Sequence, residues 1–266
     1  MKNIKILGLL SVLVLSTSML GNAQIVLTTT SGNHSYTQNF NGLPTTGNPV
    51  WTDNTTLLGW YATPSAALPF SGQIVATTGA NGNFLASFGS SSAADRALGA
   101  NPGGADKLWG ARLQNIGSTA MTINTISFTG EQWRTRANAT AQSVTFGYQV
   151  STSPITSIST GTYSSVGGLT FTSPVTSPID TNLNGNLSAN RVSLSLGSLG
   201  ITIAAGSEAM LRWSYLDGSG NDANLGIDDL TVAYTTAVPE PSTFALVLIS
   251  LVGGAFLIRR CRRSIA

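Results

Sequence analysis

Apolar residues recur at every second position along several stretches of this chain, and a period of two predicts β-strands. In Ser143–Val150 one face collects Val144, Phe146, Tyr148 and Val150, and in Arg191–Leu196 it collects Val192, Leu194 and Leu196. Met210–Leu216 sets Leu211, Trp213 and Tyr215 against Met210, Arg212 and Ser214, and Leu230, Val232 and Tyr234 form another row. Met121–Phe128 changes phase between Ile123 and Ile126, which predicts a β-bulge. No stretch between Gln24 and Ala237 carries the helical period over a useful length. Strand signals there are separated by Gly, Asn, Ser and Pro, the residues of turns. One-sided alternation predicts antiparallel sheets packed face to face, an all-β sandwich in one domain. Gln24–Leu113 is less regular, and Ser151–Leu187 reads as weak strands joined by loops.

The two ends follow other rules. Lys2 and Lys5 precede the apolar stretch Ile6–Leu15, and Gly21-Asn22-Ala23 offers small residues for cleavage. That order predicts a secretory signal peptide over 1–23, with signal peptidase as its processing enzyme. At the other end, Pro239-Glu240-Pro241 leads an uncharged run to Ile258, followed by Arg259, Arg260, Arg262 and Arg263. Counted from Pro241, the run is long enough to span about 27 Å as a helix. Arginine is costly in lipid and gathers on the cytoplasmic side, so the basic tail predicts a stop with the C-terminus inside. The only cysteine, Cys261, lies among these arginines, so 24–237 has neither a disulfide nor a thiol nucleophile.

Composition changes the picture once the ends are set aside. The whole chain carries a formal charge of +2, yet 24–237 holds seven basic residues against ten acidic ones. A mildly acidic domain argues against nucleic acid as a partner.

The motif, apolar run and basic terminus at 238–266 resemble the PEP-CTERM sorting signal of exopolysaccharide-producing bacteria. The resemblance implies recognition by an exosortase through Pro239, Glu240 and Pro241, a transient membrane anchor, and release to the cell surface or extracellular matrix. Between the ends, Gly59-Trp60-Tyr61-Ala62, Ser87-Phe88-Gly89, Asp95-Arg96-Ala97-Leu98-Gly99, Gly130-Glu131-Gln132-Trp133-Arg134, Leu211-Arg212-Trp213 and Gly226-Ile227-Asp228-Asp229-Leu230 resemble secreted bacterial β-sandwich modules. The closing Ile-Asp-Asp-Leu-x-Val resembles the last strand of jelly-roll adhesion and carbohydrate-binding modules. The expectation for 24–237 is therefore an antiparallel, jelly-roll-like β-sandwich.

Charge is rare enough that its clusters are the candidate sites. If the last strand begins by Ile227, Asp228 shares a face with Leu230, Val232 and Tyr234, and Asp229 points the other way. An inward carboxylate needs a counter-charge or donors, and Arg96, Arg134 and Arg212 are the candidate partners. The preceding loop, Asp217-Gly218-Ser219-Gly220-Asn221-Asp222, is rich in oxygen donors. It reads either as a solvated hairpin with a structural Asp–Arg pair or as a calcium site, without EF-hand spacing. Glu131 with an aspartate offers a glycosidase-type pair, the alternative hydrolase reading. His34, the single histidine, reads as an exposed loop residue, and no His cluster supports zinc. The five tryptophans read either as core or as a sugar-stacking platform. With one histidine and no thiol, the exported domain is expected to be a non-catalytic glycan-binding or structural module.

Overall fold

The computed structural model describes residues 24–63, 74–77, 79, 82–90 and 93–238. The signal peptide, the sorting motif Pro239, Glu240 and Pro241, the apolar run, the arginines from Arg259 to Arg263 and Cys261 all lie outside the described residues. Among the described residues, no helix is long and apolar enough to cross a membrane.

The described residues form fifteen strands. The first seven are β1 (Ile25–Val26), β2 (Gly32–Gln38), β3 (Trp60–Ala62), β4 (Ile74–Thr77), β5 (Phe84–Phe88), β6 (Ala97–Asn101) and β7 (Lys107–Gln114). Then come β8 (Met121–Arg134), β9 (Ser143–Ser151), β10 (Ser164–Ser165), β11 (Phe171–Thr172), β12 (Arg191–Leu196), β13 (Ile201–Ile203), β14 (Glu208–Tyr215) and β15 (Asn224–Thr236). The first sheet runs β1-β7-β14-β9-β10, with β3 also on β7 and β11 on β9. The second runs β12-β8-β15-β6-β5-β4, with β13 on β8 and β2 on β15. Pairing is antiparallel except for β1 with β7 and β4 with β5.

The core lies between the sheets. The first contributes Trp109, Ala111, Leu113, Val144, Phe146, Leu211, Trp213 and Tyr215, all buried. The second answers with Leu98, Ala100, Ile123, Ile126, Phe128, Leu225, Ile227, Leu230, Val232 and Tyr234. At the centre Trp60 and Trp213 stack with ring centroids 5.8 Å apart, and Phe146 and Phe128 meet Trp213 edge-on. The expected change of phase in β8 is real. Ala233 pairs with Thr125 and Tyr234 with Ile123, so Asn124 is the extra residue of a bulge.

Both outer faces are covered as well. On the first sheet, Tyr61, Met210, Ile155 and Ile158 form a second apolar cluster beneath the segment after β9. Glu208 anchors that segment by accepting the Ile155 N–H at 2.9 Å. Arg112 donates two hydrogen bonds to Glu208, from Nε at 2.9 Å and Nη2 at 2.7 Å, while Gln24 donates a further one at 3.3 Å. On the second sheet, Phe84, Ala86, Phe88, Ala97 and Trp133 form a third cluster. A strap over 175–190 closes it. Val175 and Gln132 exchange two hydrogen bonds at 2.9 Å, and Leu183 N donates to the Trp133 carbonyl.

Two glycines let β6 and β15 approach. Gly99 pairs with Gly226, and a Cβ on Gly99 would collide with the Leu225 carbonyl oxygen and the Gly226 Cα. Backbone cannot yield as a side-chain tip can. Gly99→Ala should therefore lower the unfolding free energy by about 2–3 kcal/mol, measured by urea denaturation. An unchanged midpoint would refute the close approach.

The Arg112–Glu208 pair generates a second expectation. Both side chains are almost fully buried. Glu208→Gln should cost about 3–5 kcal/mol because it leaves a buried guanidinium without its charge partner, whereas Arg112→Met with Glu208→Leu should restore most of that loss. Thermal unfolding of the two variants side by side checks it.

Candidate functional site

The candidate site grows from one event in β15. Along one side, β15 stays on β8 for its whole length. Along the other it pairs with β6 through Leu225–Ile227 and then with β2 through Leu230–Thr236. Asp228 and Asp229 fall at the change of partner, where the register against β8 also slips. Asp229 is the inserted residue, held at φ 51°, a left-handed conformation that Asp tolerates better than most side chains. Its carboxylate is exposed.

The inserted residue corrects the expected placement of Asp228. Ile227 and Leu230 both face the main core, three positions apart, so the period of two breaks between them. Asp228 lies instead on the outer face with Gly226. It is buried, 3 % exposed, and its Oδ1 accepts the Asp229 N–H at 2.7 Å. The three expected arginine partners are engaged elsewhere. Arg96 donates to the Ser87 hydroxyl and carbonyl and to the Ser90 carbonyl. Arg134 grips Asp180 with two hydrogen bonds at 2.6 and 2.8 Å. Arg212 lies 3.4 Å above the Tyr163 ring and donates to the Ile158 carbonyl.

Asp228 meets another carboxyl instead. Glu131 pairs across the ladder with Gly226, and Asp228 with Thr129, so the two side chains are diagonal neighbours on one face. Glu131 is 2 % exposed and accepts a hydrogen bond from the Trp133 indole at 3.1 Å. Burial pushes the Glu131 carboxyl up to about 7, with Asp95 and Asp229 adding to the rise and Arg191, its neighbour on β12, opposing it. Burial likewise pushes Asp228 up to about 8, helped by Asp229, Glu131 and Asp95 and opposed by the Asp229 N–H. Glu131 and two of the last-strand aspartates are thus brought together, but two of the three are sealed from solvent.

Beside them is an open cavity of about 370 Å³ lined by Thr37, Gln38, Asn39, Asp229, Leu230 and Thr231. The end of β2 shapes it. Gln38 Oε1 accepts the Phe40 N–H and Asn39 Oδ1 accepts the Asn41 N–H, at 2.8 and 3.2 Å, which fixes the turn leaving the strand. Leu230 is buried in the core, so the exposed lining consists of hydroxyls, amides and one carboxylate. No positively charged side chain lines it.

The oxygen-rich loop 217–222 sits elsewhere and closes on the loop after β6. Asp222 is 1 % exposed and accepts from Gln142 Nε2 at 2.8 Å, Gly218 N at 3.2 Å and Gly103 N at 3.3 Å. Asp217 accepts the Gly104 N–H at 2.6 Å, and Asp106 accepts the Asp217 N–H at 2.8 Å. Burial pushes the Asp222 carboxyl up, and its neighbour Asp217 adds to the rise. These carboxylates are held by N–H donors of the protein itself, a clamp between two loops. Among the described residues no group of three or more His, Cys, Asp or Glu side chains is placed to hold a metal ion.

Three features had no advance notice in the sequence. Lys107 is fully buried beside this clamp and donates to the Ala105 carbonyl at 3.0 Å, and burial pulls its ammonium down to about 8 against the attraction of Asp217 and Asp106. The Arg112–Glu208 pair is the second. The cavity itself is the third; Asp229 was the only one of its lining residues that the charge pattern singled out. The tryptophans, in contrast, are settled as core: Trp51, Trp60, Trp109, Trp133 and Trp213 are all buried, so none offers a stacking platform. His34 does lie at the surface, but on β2 rather than in a loop, bonded to the Thr30 carbonyl at 2.7 Å.

No family model matches the chain, and no curated protein matches it. Among solved structures it is similar to the K3 cleaved adhesin domain of Lys-gingipain from Porphyromonas gingivalis, at 12 % identity and a TM-score of 0.38. That likeness covers 70 % of this chain and 99 % of the other. At such a distance it carries no argument, and the fold stands on this chain's own strands.

The paired carboxyls set a pH dependence. Both have folded-state values above their ordinary 4.5 and 3.8, so the fold binds protons that the unfolded chain releases. Their stabilising contribution is full below about pH 4 and is lost as pH rises through 7 and 8. Lys107 acts in the opposite sense, and only between about 8 and its ordinary 10.5. Stability should therefore fall from pH 4 to pH 8, and Asp228→Asn should flatten that slope and gain on the order of 2 kcal/mol at pH 8. Urea unfolding across this range checks it; a slope of opposite sign in the parent protein would refute it.

Proposed function

We propose that this chain is an exported, exosortase-processed protein of the bacterial cell surface or extracellular matrix, with a jelly-roll-like sandwich serving as a non-catalytic glycan-binding or structural module. The signal peptide and the Pro239-Glu240-Pro241 tail with its basic terminus support export, transient anchoring and release. One observation carries the non-catalytic reading. The two carboxyls best tuned for proton transfer near neutral pH, Glu131 and Asp228, are 2 % and 3 % exposed, while the neighbouring open cavity presents a single carboxylate. A glycosidase needs two carboxyl groups that both reach the scissile bond. A binding module needs only hydroxyls, amides and an acceptor held in place, which is what the cavity lining supplies.

Two measurements test this on native material. Mass spectrometry should find Gln24 near the start and no residue beyond about Ser242, since small residues and the motif mark the two cuts. Incubation with polysaccharides should give retention on at least one of them and no release of reducing ends. Turnover that disappears in Glu131→Gln would overturn the reading in favour of a hydrolase, and an intact cytoplasmic chain would overturn export.

A further inference from the structure

We infer that the cavity at the β15 bulge is the ligand site of this module, and that it takes an amino sugar, a hydroxyl-rich ring carrying an ammonium group. The inference rests on the glycan-binding reading above and makes it specific.

The lining decides the chemistry. Thr37 and Thr231 face each other across the β2–β15 ladder and bring two hydroxyls to one mouth. Asn39 uses its Oδ1 on the Asn41 N–H, which turns its NH2 group away from that bond as a donor. Asp229 contributes an exposed carboxylate. Hydroxyls that both donate and accept, with an amide donor, match sugar hydroxyls. A carboxylate with no cation among the lining residues matches an ammonium, because a charge-assisted hydrogen bond is roughly twice as strong as a neutral one. Uronates would meet the carboxylate of Asp229 with like charge, and Asp95 lies in the same acidic neighbourhood. The volume, about 370 Å³, suits one ring rather than a long chain segment.

The bulge gives the site its direction. Without the inserted residue, position 229 would be an ordinary ladder position, its side chain fixed by the pleat. The insertion at φ 51° takes Asp229 out of the regular pleat and places it among the residues lining the cavity. Asn accepts the same backbone conformation, so Asp229→Asn removes the charge and keeps the bulge.

The test is retention of the full-length protein, in mild detergent, on beads of chitosan, cellulose and polygalacturonate. Retention should be strongest on chitosan, the glucosamine polymer. Free glucosamine hydrochloride should elute the protein at a concentration where sodium chloride and glucose do not. Asp229→Asn should weaken binding about tenfold, the loss expected of one charge-assisted hydrogen bond. Thr231→Val and Thr37→Val should each weaken it by a smaller factor. Elution by sodium chloride as readily as by glucosamine means surface charge alone and overturns the site. So does displacement by calcium chloride in place of glucosamine, which would assign a cation instead. Equal retention of Asp229→Asn on any polysaccharide overturns the site and leaves the binding module standing. Failure to bind all three polymers overturns the site and removes the glycan-binding half of the proposed function, leaving the structural half.

Discussion

Everything distinctive in this molecule follows from β15 having one partner on one side and two on the other. β8 accompanies β15 from Asn224 to Thr236, with shifts of register at the bulges. β6 and β2 share the opposite edge, β6 pairing through Ile227 and β2 from Leu230. One inserted residue, Asp229, lies at the handover. The same residue restores the inward phase for Leu230, Val232 and Tyr234, leaves Asp228 on the outer face, and lines the cavity where β2 ends. Core packing, a buried acidic pair and a surface cavity thus share a cause in strand pairing.

The outer faces show a different economy of charge. A sandwich with one wet face per sheet has little need of buried ions, but here loops lie over both sheets. Arg112 and Glu208 neutralise each other beneath the segment after β9, and both Glu208 oxygens are bonded. Glu131 and Asp228 have no such opposite. They are tolerable in the interior mainly as neutral acids, and their burial stabilises the fold only where protons are available. The second arrangement ties the stability of the fold to pH.

β8, β9, β12 and the second half of β15 were legible because they alternate drier and wetter positions. Val144 and Phe146 alternate with Ser143 and Thr145, and Val232 and Tyr234 alternate with the smaller Thr231, Ala233 and Thr235. The bulge at Asn124 showed itself as a slip in that alternation. β3, β5 and β6 were not legible for the opposite reason: they are buried on both faces, and Trp60–Ala62, Phe84–Phe88 and Ala97–Asn101 carry no alternation to read. The second bulge escaped because Asp-Asp looks regular; its phase error appears only when Ile227 and Leu230 are seen to point the same way. The charged sites escaped for a reason of distance. Arg112 and Glu208 meet only once β7 and β14 are in register, and no local spacing announces a contact between residues so far apart.

The end of β15 is bonded to the turn after β1. Thr236 Oγ1 donates to the Thr28 carbonyl, and Ala237 N bonds to the Ala120 carbonyl, so the C-terminal exit lies against the first strands. A pull applied at Ala237 would act along β15, a strand bonded on both edges, and would load its ladders in shear instead of peeling them one bond at a time. At about 3.3 Å per residue, the seven residues from Asp229 to Thr236 place the cavity some 23 Å up that strand from the point of pull. A force at the C-terminal end of the sandwich would therefore reach the cavity along a strand bonded on both edges.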